Sequence, residues 1–411
     1  MTDPLATSPG GMSADHVLPL RFSGSASAAD PLRPRHPRNR RTARIWALSI
    51  LGVLLLSGGF VGAQIATSSG YDDARASLRQ AQTAQDATIG QTRTVLARSG
   101  AATTTATAVL AAPGTGLLAD ADRATLTAAD ESVKKQATAA TALIPPAHAA
   151  TPAKPFWFWE SIAAADRIRT ETADARRSAK ALSAAETKLG EATKALQASG
   201  TAAVTAAADR AAGAEAANVP AANDSVLTLR SSVAEVKDLA PQFQDQLASV
   251  YPGLVVAVQK LQQSHADTLS AESGPLFDSR QQIEAFARSL APGVLIDFHW
   301  AELVNGLGGP NNYLSGETAW WYDQGGYASI RLSDSIAEDW PSDAAHAIVA
   351  HEVGHAITVR CKGMYDATNH QTAEAWATAW AISMGFTNDA NGTSAYGAPP
   401  ASLIATAATC R

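Results

Sequence analysis

The stretch AHAIVAHEVGHAITVRC (Ala345–Cys361) decides how the last third of the chain is read, and it carries three of the nine histidines. On an α-helix, residues four apart lie one turn along and about 40° apart around the axis. His351 and His355 therefore project the same way and can share one metal ion. Glu352 lies about 100° from His351 and about 60° from His355, so it borders that ion without being forced to ligate it. A general base for a metal-activated water belongs there. Gly354 has no side chain and lets another element approach closely. His346 falls about 140° from His351 and reads as a polar-face residue. The bland alternative is a packed helix that happens to carry two satisfied histidines.

The surroundings favour the metal reading. Ser342 or Asp343 can cap this helix and Gly363 can stop it. HQTAEAWATAWAISMGF (His370–Phe386) reads as a second helix. Upstream, GVLIDFHW (Gly293–Trp300) has a strand pattern, and TAWWYDQGGYASIRLS (Thr318–Ser333) reads as two strands around an Asp-Gln-Gly-Gly turn. Tryptophan, tyrosine, glycine and β-branched residues set in after about residue 274, so 274–411 is expected to be a separate α+β domain. Two histidines do not complete a catalytic zinc site, which takes three protein ligands and a water. Glu374 is the best third candidate. His370, one turn earlier on the same helix, is an alternative, and Cys361 a weaker one. The only two cysteines, Cys361 and Cys410, are most simply a disulfide, with two buried free thiols as the alternative.

HEVGH, with eighteen residues between His355 and Glu374, resembles the HExxH–x18–E pattern of gluzincin metallopeptidases, the thermolysin and zinc-aminopeptidase group. The resemblance is sharp over His351–Glu374 and extends at most over 274–411. It implies a zincin-like domain with Zn2+ held by His351, His355 and Glu374, and Glu352 as base. It also implies an edge strand that binds substrate backbone, for which Tyr327–Ser333 is suitably placed. This sequence departs from the family at several points. Thr358 and Cys361 stand where a metzincin extension would place glycine and histidine. The aminopeptidase GAMEN motif is absent. Thr378 occupies the position where gluzincins often carry an aspartate. Tyr365 and His370 are accessory candidates by proximity in sequence, Tyr322 and Arg331 weaker ones. His299 reads as structural.

The first two thirds are different. Residues 1–44 carry seven arginines and three aspartates, +4, leaving −10 of the chain's −6 to the remainder. Nucleic-acid binding is not expected outside that short arm. IWALSILGVLLLSGGFVGAQIA (Ile45–Ala66) has no charge and is long enough to span a bilayer about 30 Å thick. Six arginines precede it, which would keep the N-terminus cytoplasmic and place the rest outside. A cleaved signal peptide is the alternative. From Tyr71 to about Ser270 the chain is rich in Ala, Thr, Gln, Asp and Arg, and is broken by prolines that should end or kink helices. Ile168, Ala175, Leu182, Leu189 and Leu196 recur every seven residues. That period fits a dimeric or intramolecular coiled coil, or an antiparallel bundle. PFWFWES (Pro155–Ser161) reads as an aromatic cap on a helix start or as an anchor for a partner or membrane interface.

The expected fold is thus mostly α. It comprises a disordered basic cytoplasmic arm (1–44), one transmembrane helix (45–66), an extracytoplasmic helical or coiled-coil stalk (67–273) and an α+β zincin-like domain (274–411). The expected activity is peptide-bond hydrolysis by a zinc metallopeptidase at the cell membrane, acting on a protein or peptide. The competing readings are an envelope binding or scaffold protein with a structural or inactive zinc site, and a zinc hydrolase for a non-peptide amide.

Overall fold

The computed structural model describes residues 40–113, 116–309 and 313–411, with side chains described from residue 58 onward. The arm expected over 1–44 lies, up to residue 39, outside the described residues. The described residues divide into two units between Ser69 and Gly70.

The transmembrane expectation is corrected. Residues 45–66 belong to α1 (Arg40–Ala111), a helix of 72 residues. Among the described residues no helix is long and apolar enough to cross a membrane. The helix continues without a break past residue 66 into Thr-, Gln- and Asp-rich sequence. The single-pass topology falls with the helix, and so does the localisation at the cell membrane with the C-terminal domain outside.

From Gly70 onward, helices build the first region: the rest of α1, then α2 (Asp120–Ala142), α3 (Phe158–Ala217), α4 (Asn223–Leu239) and α5 (Asp245–Ala271). Five of the proline sites that punctuate the sequence fall between these helices, whereas Pro252 lies inside α5. The α3 heptad is buried throughout, and α1 carries a matching one in Tyr71, Leu78, Gln85, Thr92, Ser99 and Ala106, also buried. α1 and α3 run parallel. Tyr71 packs with Ala165 and Ile168 at one end, and at the other Arg210 donates to the Leu117 carbonyl (2.7 Å) and pairs with Asp122 (2.9 Å). α2 returns between them, so the stripe is covered within the chain, as in a coiled-coil bundle. Of the PFWFW aromatics at the start of α3, Phe156, Trp157 and Trp159 are exposed, Phe156 at 77%, while Phe158 is half-buried.

α6 (Phe277–Leu290) leads into β1 (Leu295–Ala301). The short pair β2 (Leu303–Val304) and β3 (Leu307–Gly308) follows, then β4 (Gly316–Trp321) and β5 (Tyr327–Ser333). The sheet order is β1-β5-β4, with β1 parallel and β4 antiparallel to β5. The segment expected at the edge, Tyr327–Ser333, is therefore the central strand. β1 pairs with it along its whole length, Leu295 opposite Tyr327 through Ala301 opposite Ser333. β4 is at the edge. α7 (Asp334–Asp339), α8 (Asp343–Ala356), α9 (His370–Ser383), α10 (Thr393–Tyr396) and α11 (Ala401–Ala407) complete the chain. Ile296, Phe298, Ile330, Val349, Val353, Trp376 and Trp380 belong to one core here. α8 and α9 touch at Gly354, where a Cβ would lie 2.8 Å from Ala377 backbone. Cys361 and Cys410 are joined by a disulfide, Cα–Cα 6.0 Å.

Candidate metal centre

Two helices and a strand assemble the site. α8 starts cleanly because Ser342 Oγ accepts from the Ala345 amide (3.0 Å), and α9 because Asn369 Oδ1 accepts from that of Thr372 (3.3 Å). Ala-rich faces and Gly354 let the two helices pack closely. His351 and His355 on α8 thereby meet Glu374 on α9. His351 Nε2 lies 3.0 Å, and His355 Nε2 3.3 Å, from the same Glu374 oxygen, Oε2. All three residues are buried, and their ligand atoms lie within 4.8 Å of one another.

The orientation of each ring has a cause. The Asn391 carbonyl can only accept, so His351 Nδ1 donates to it (2.8 Å) and Nε2 is turned to Glu374. Gly392 permits this approach: its φ is +101°, and a Cβ there would fall 2.7 Å from the His351 ring. Thr378 Oγ1 lies 3.4 Å from the same Nδ1 and donates to the Glu374 carbonyl (2.9 Å). A backbone carbonyl thus supplies the support expected from an aspartate. His355 stacks on Trp320 of β4, ring centres 5.6 Å apart and planes 10° from parallel. Its Nδ1 is buried with no hydrogen-bond partner among the described residues.

Glu352 faces β4. Its Oε2 accepts from Thr318 Oγ1 (2.7 Å), and a Cβ on Gly316 would sit 2.5 Å from Oε1, so a larger residue there would push the carboxylate aside. His351, His355, Glu352 and Glu374 line a cleft of about 380 Å3, bounded by Gly316–Trp320 on one side and by Thr368, His370 and Tyr396 on the other. This volume is in the range of small-ligand sites.

In Glu374, burial works to raise the pKa, but hydrogen bonds from the two imidazoles prevail and hold it well below the usual carboxylate range. In His351, burial opposes protonation, and Glu374 and Glu352 outweigh it, raising the pKa. The positive charge drawn to the carboxylates by imidazole protons is the charge a divalent cation would bring instead. Two imidazoles and a carboxylate with converging lone pairs fit such an ion, and the cleft leaves one side open.

The remaining candidates separate. His370 sits at the lip, its side chain 80% exposed, with Nδ1 3.4 Å from Glu374 Oε1 and outside the converging trio. Tyr365 does not line the cleft. It stacks on Trp376 (4.6 Å) and its hydroxyl meets Thr358 Oγ1 (2.8 Å), with burial pushing its pKa up to about 12. Tyr322 lies under the Lys362 ammonium, and Arg331 pairs loosely with Glu317 (3.8 Å). His346 packs against Trp340 and Phe286, and His299 is exposed beside Asp297.

Sequence reading missed Tyr396, Asn391, Gly316 and Thr318. Tyr396 stands between His351 (stacked, 6.1 Å) and His370 (edge-on, 6.1 Å), and burial and the nearby Glu374 raise its pKa. No local motif marks these four, because each reaches the site through tertiary packing. No protein-family model matches the chain, and neither does a curated protein or a solved structure.

Proposed function

We propose that the protein is a zinc metallopeptidase that hydrolyses peptide bonds. The observation that supports this best is the buried His351–His355–Glu374 group set beside Glu352 at the floor of an open cleft. Two imidazoles and a carboxylate suit zinc, and an open side distinguishes a catalytic from a closed structural site. A zinc ion bound there supplies Lewis acidity toward a water and a scissile carbonyl. Glu352 takes the proton of the attacking water and returns it to the leaving amine. Thr318 fixes the Glu352 carboxylate for that role through its 2.7 Å hydrogen bond. Tyr396 and His370 stand at the lip, where their donors can meet a developing oxyanion.

The test combines metal analysis with peptide-library cleavage for the native chain and Glu352→Gln. One zinc per chain is expected in both, with kcat/KM falling by about 10²–10⁴ in the variant, the range for loss of a general base. Zinc without cleavage in the native chain would favour a scaffold with a structural ion. No metal in the folded chain would remove the proposal.

A further inference from the structure

Away from the metal centre, the helical and α+β regions meet at a cavity of about 180 Å3. Its walls are residues 220–222 ahead of α4, the end of α5 with Glu272, and residues 297–300 of β1. Two carboxyl groups on these walls each carry a buried oxygen with no hydrogen-bond partner among the described residues, Glu272 Oε1 and Asp297 Oδ1. Glu272 is only 3% exposed. Their other oxygens are occupied: Glu272 Oε2 accepts from Gln281 (2.5 Å), and Asp297 Oδ2 from the Asn223 amide (2.9 Å).

The neighbours have no donor to spare. Glu284 stands beside Glu272, but its oxygens already accept from Trp300 Nε1 and from Arg288, at 3.1 Å each. Arg280 is committed to the Glu272 carbonyl (3.1 Å) and to Asp334 (2.8 Å). His299 Nε2 lies 3.9 Å from Asp297 Oδ1, beyond hydrogen-bond reach. Four carboxyl groups, Glu272, Glu284, Asp297 and Asp334, thus face two guanidinium groups, Arg280 and Arg288. Buried carboxylates are as a rule paired with positive charge, so this cluster is short of it. Glu272, Asp297 and His299 do not converge as His351, His355 and Glu374 do, so a bare metal ion does not suit the place. The remaining wall is largely apolar, with Ala221, Phe298 and Trp300.

We propose that this cavity binds a small aliphatic ammonium compound, its N–H donors on Glu272 and Asp297 and its carbon chain against Ala221, Phe298 and Trp300. Without such a partner the Glu272 carboxyl keeps a proton up to about pH 8, because burial and the Glu284 charge oppose its ionisation. The ammonium group supplies the opposing charge and takes the place of that proton.

Calorimetry on the full chain tests this with n-butylamine, against 1-butanol and against NaCl at matched ionic strength. Saturable binding is expected for the amine alone. Near pH 7 its binding heat should differ between phosphate and Tris buffers, reporting release of close to one proton. Competition with a proton held up to about pH 8 should make the affinity about tenfold tighter near pH 9 than near pH 7. Glu272→Gln should weaken binding about tenfold or more, the worth of a hydrogen bond to a charged group, and remove the proton release. Ala271→Phe, at an exposed position on the wall, should block binding with an unchanged circular dichroism spectrum, and it decides the matter if Glu272→Gln does not fold. No binding, equal binding of 1-butanol, an effect that NaCl reproduces, absence of proton release, or unchanged affinity in either variant would overturn the inference.

Discussion

The helical region and the α+β region both bury polar side chains, but they close them in opposite ways. Along the helices, Ser99, Thr172 and Thr193 return their hydroxyls to carbonyls three or four residues back, at 2.7–2.8 Å. Each is satisfied inside its own turn, so it asks nothing of its neighbours. In the α+β region the hydrogen bonds span the fold: Thr318 to Glu352, His351 to the Asn391 carbonyl, and both histidines to Glu374. Buried polarity closed locally maintains a seam. Buried polarity closed over distance holds a geometry between separate elements, and it is in this second region that His351, His355 and Glu374 converge.

The sharpest way to break this contrast is to damage the seam. Leu189, fully buried, should cost about 2–5 kcal/mol when changed to Ala, read by denaturant unfolding, while zinc content stays the same. Loss of zinc with Leu189→Ala would show that the two regions are not separable in this way. Thr318→Val removes the donor to Glu352 at nearly constant volume. Cleavage should drop about tenfold, the worth of one hydrogen bond to a charged group, with little change in melting temperature. An unaffected rate would show that Thr318 does not position the base.

The seam between the regions supplies a pH signature. Glu272, at the end of α5, is buried beside Glu284 of α6; its Oε2 accepts from Gln281 (2.5 Å), and Oε1 has no hydrogen-bond partner among the described residues. Burial, then the Glu284 charge, raise its pKa from 4.5 to about 8. The folded state therefore keeps a proton that the unfolded state has released, and stability falls as pH rises from about 4.5 to about 8. Glu272→Gln should flatten this slope, leaving melting near pH 5 almost unchanged and raising it by a few degrees near pH 9. A parallel fall in both proteins would refute the assignment. The smallest effect is expected from Thr193→Val, whose hydroxyl is closed within its own helix. Stability should change by less than about 1 kcal/mol and cleavage not at all. The same substitution at Thr318 and Thr193 thus weighs the two kinds of closure directly.

Periodicity and spacing reveal what one element encodes by itself. The α3 stripe, α8 with His351, Glu352 and His355, α9 with Glu374, and the β4–β5 turn were legible because their signals repeat within a few residues. What could not be read depends on distant partners. The α1 stripe was hidden because Gln85, Thr92 and Ser99 occupy its heptad positions, and hydrophobic periodicity does not register polar residues. The central place of β5 depends on β1, joined to it through a parallel pairing across more than twenty residues of chain. Asn391 acts through a backbone carbonyl, for which side-chain identity gives no sign. The apolar run at 45–66 pointed to a membrane span, and among the described residues no helix is long and apolar enough to be one.

The disulfide has a topological consequence. Cys361 and Cys410 are separated by 49 residues, and that interval contains Glu374, Thr378, Asn391, Gly392 and Tyr396. Every component of the centre that α8 and β4 do not provide is thus enclosed in one covalent ring, hinged six residues beyond His355. Closing a ring of this size removes about 4 kcal/mol of chain entropy from the unfolded ensemble. The reduced chain would have to gather those groups from an open tail, whereas the oxidised chain begins each folding event with them already tethered to the helix of His351 and His355.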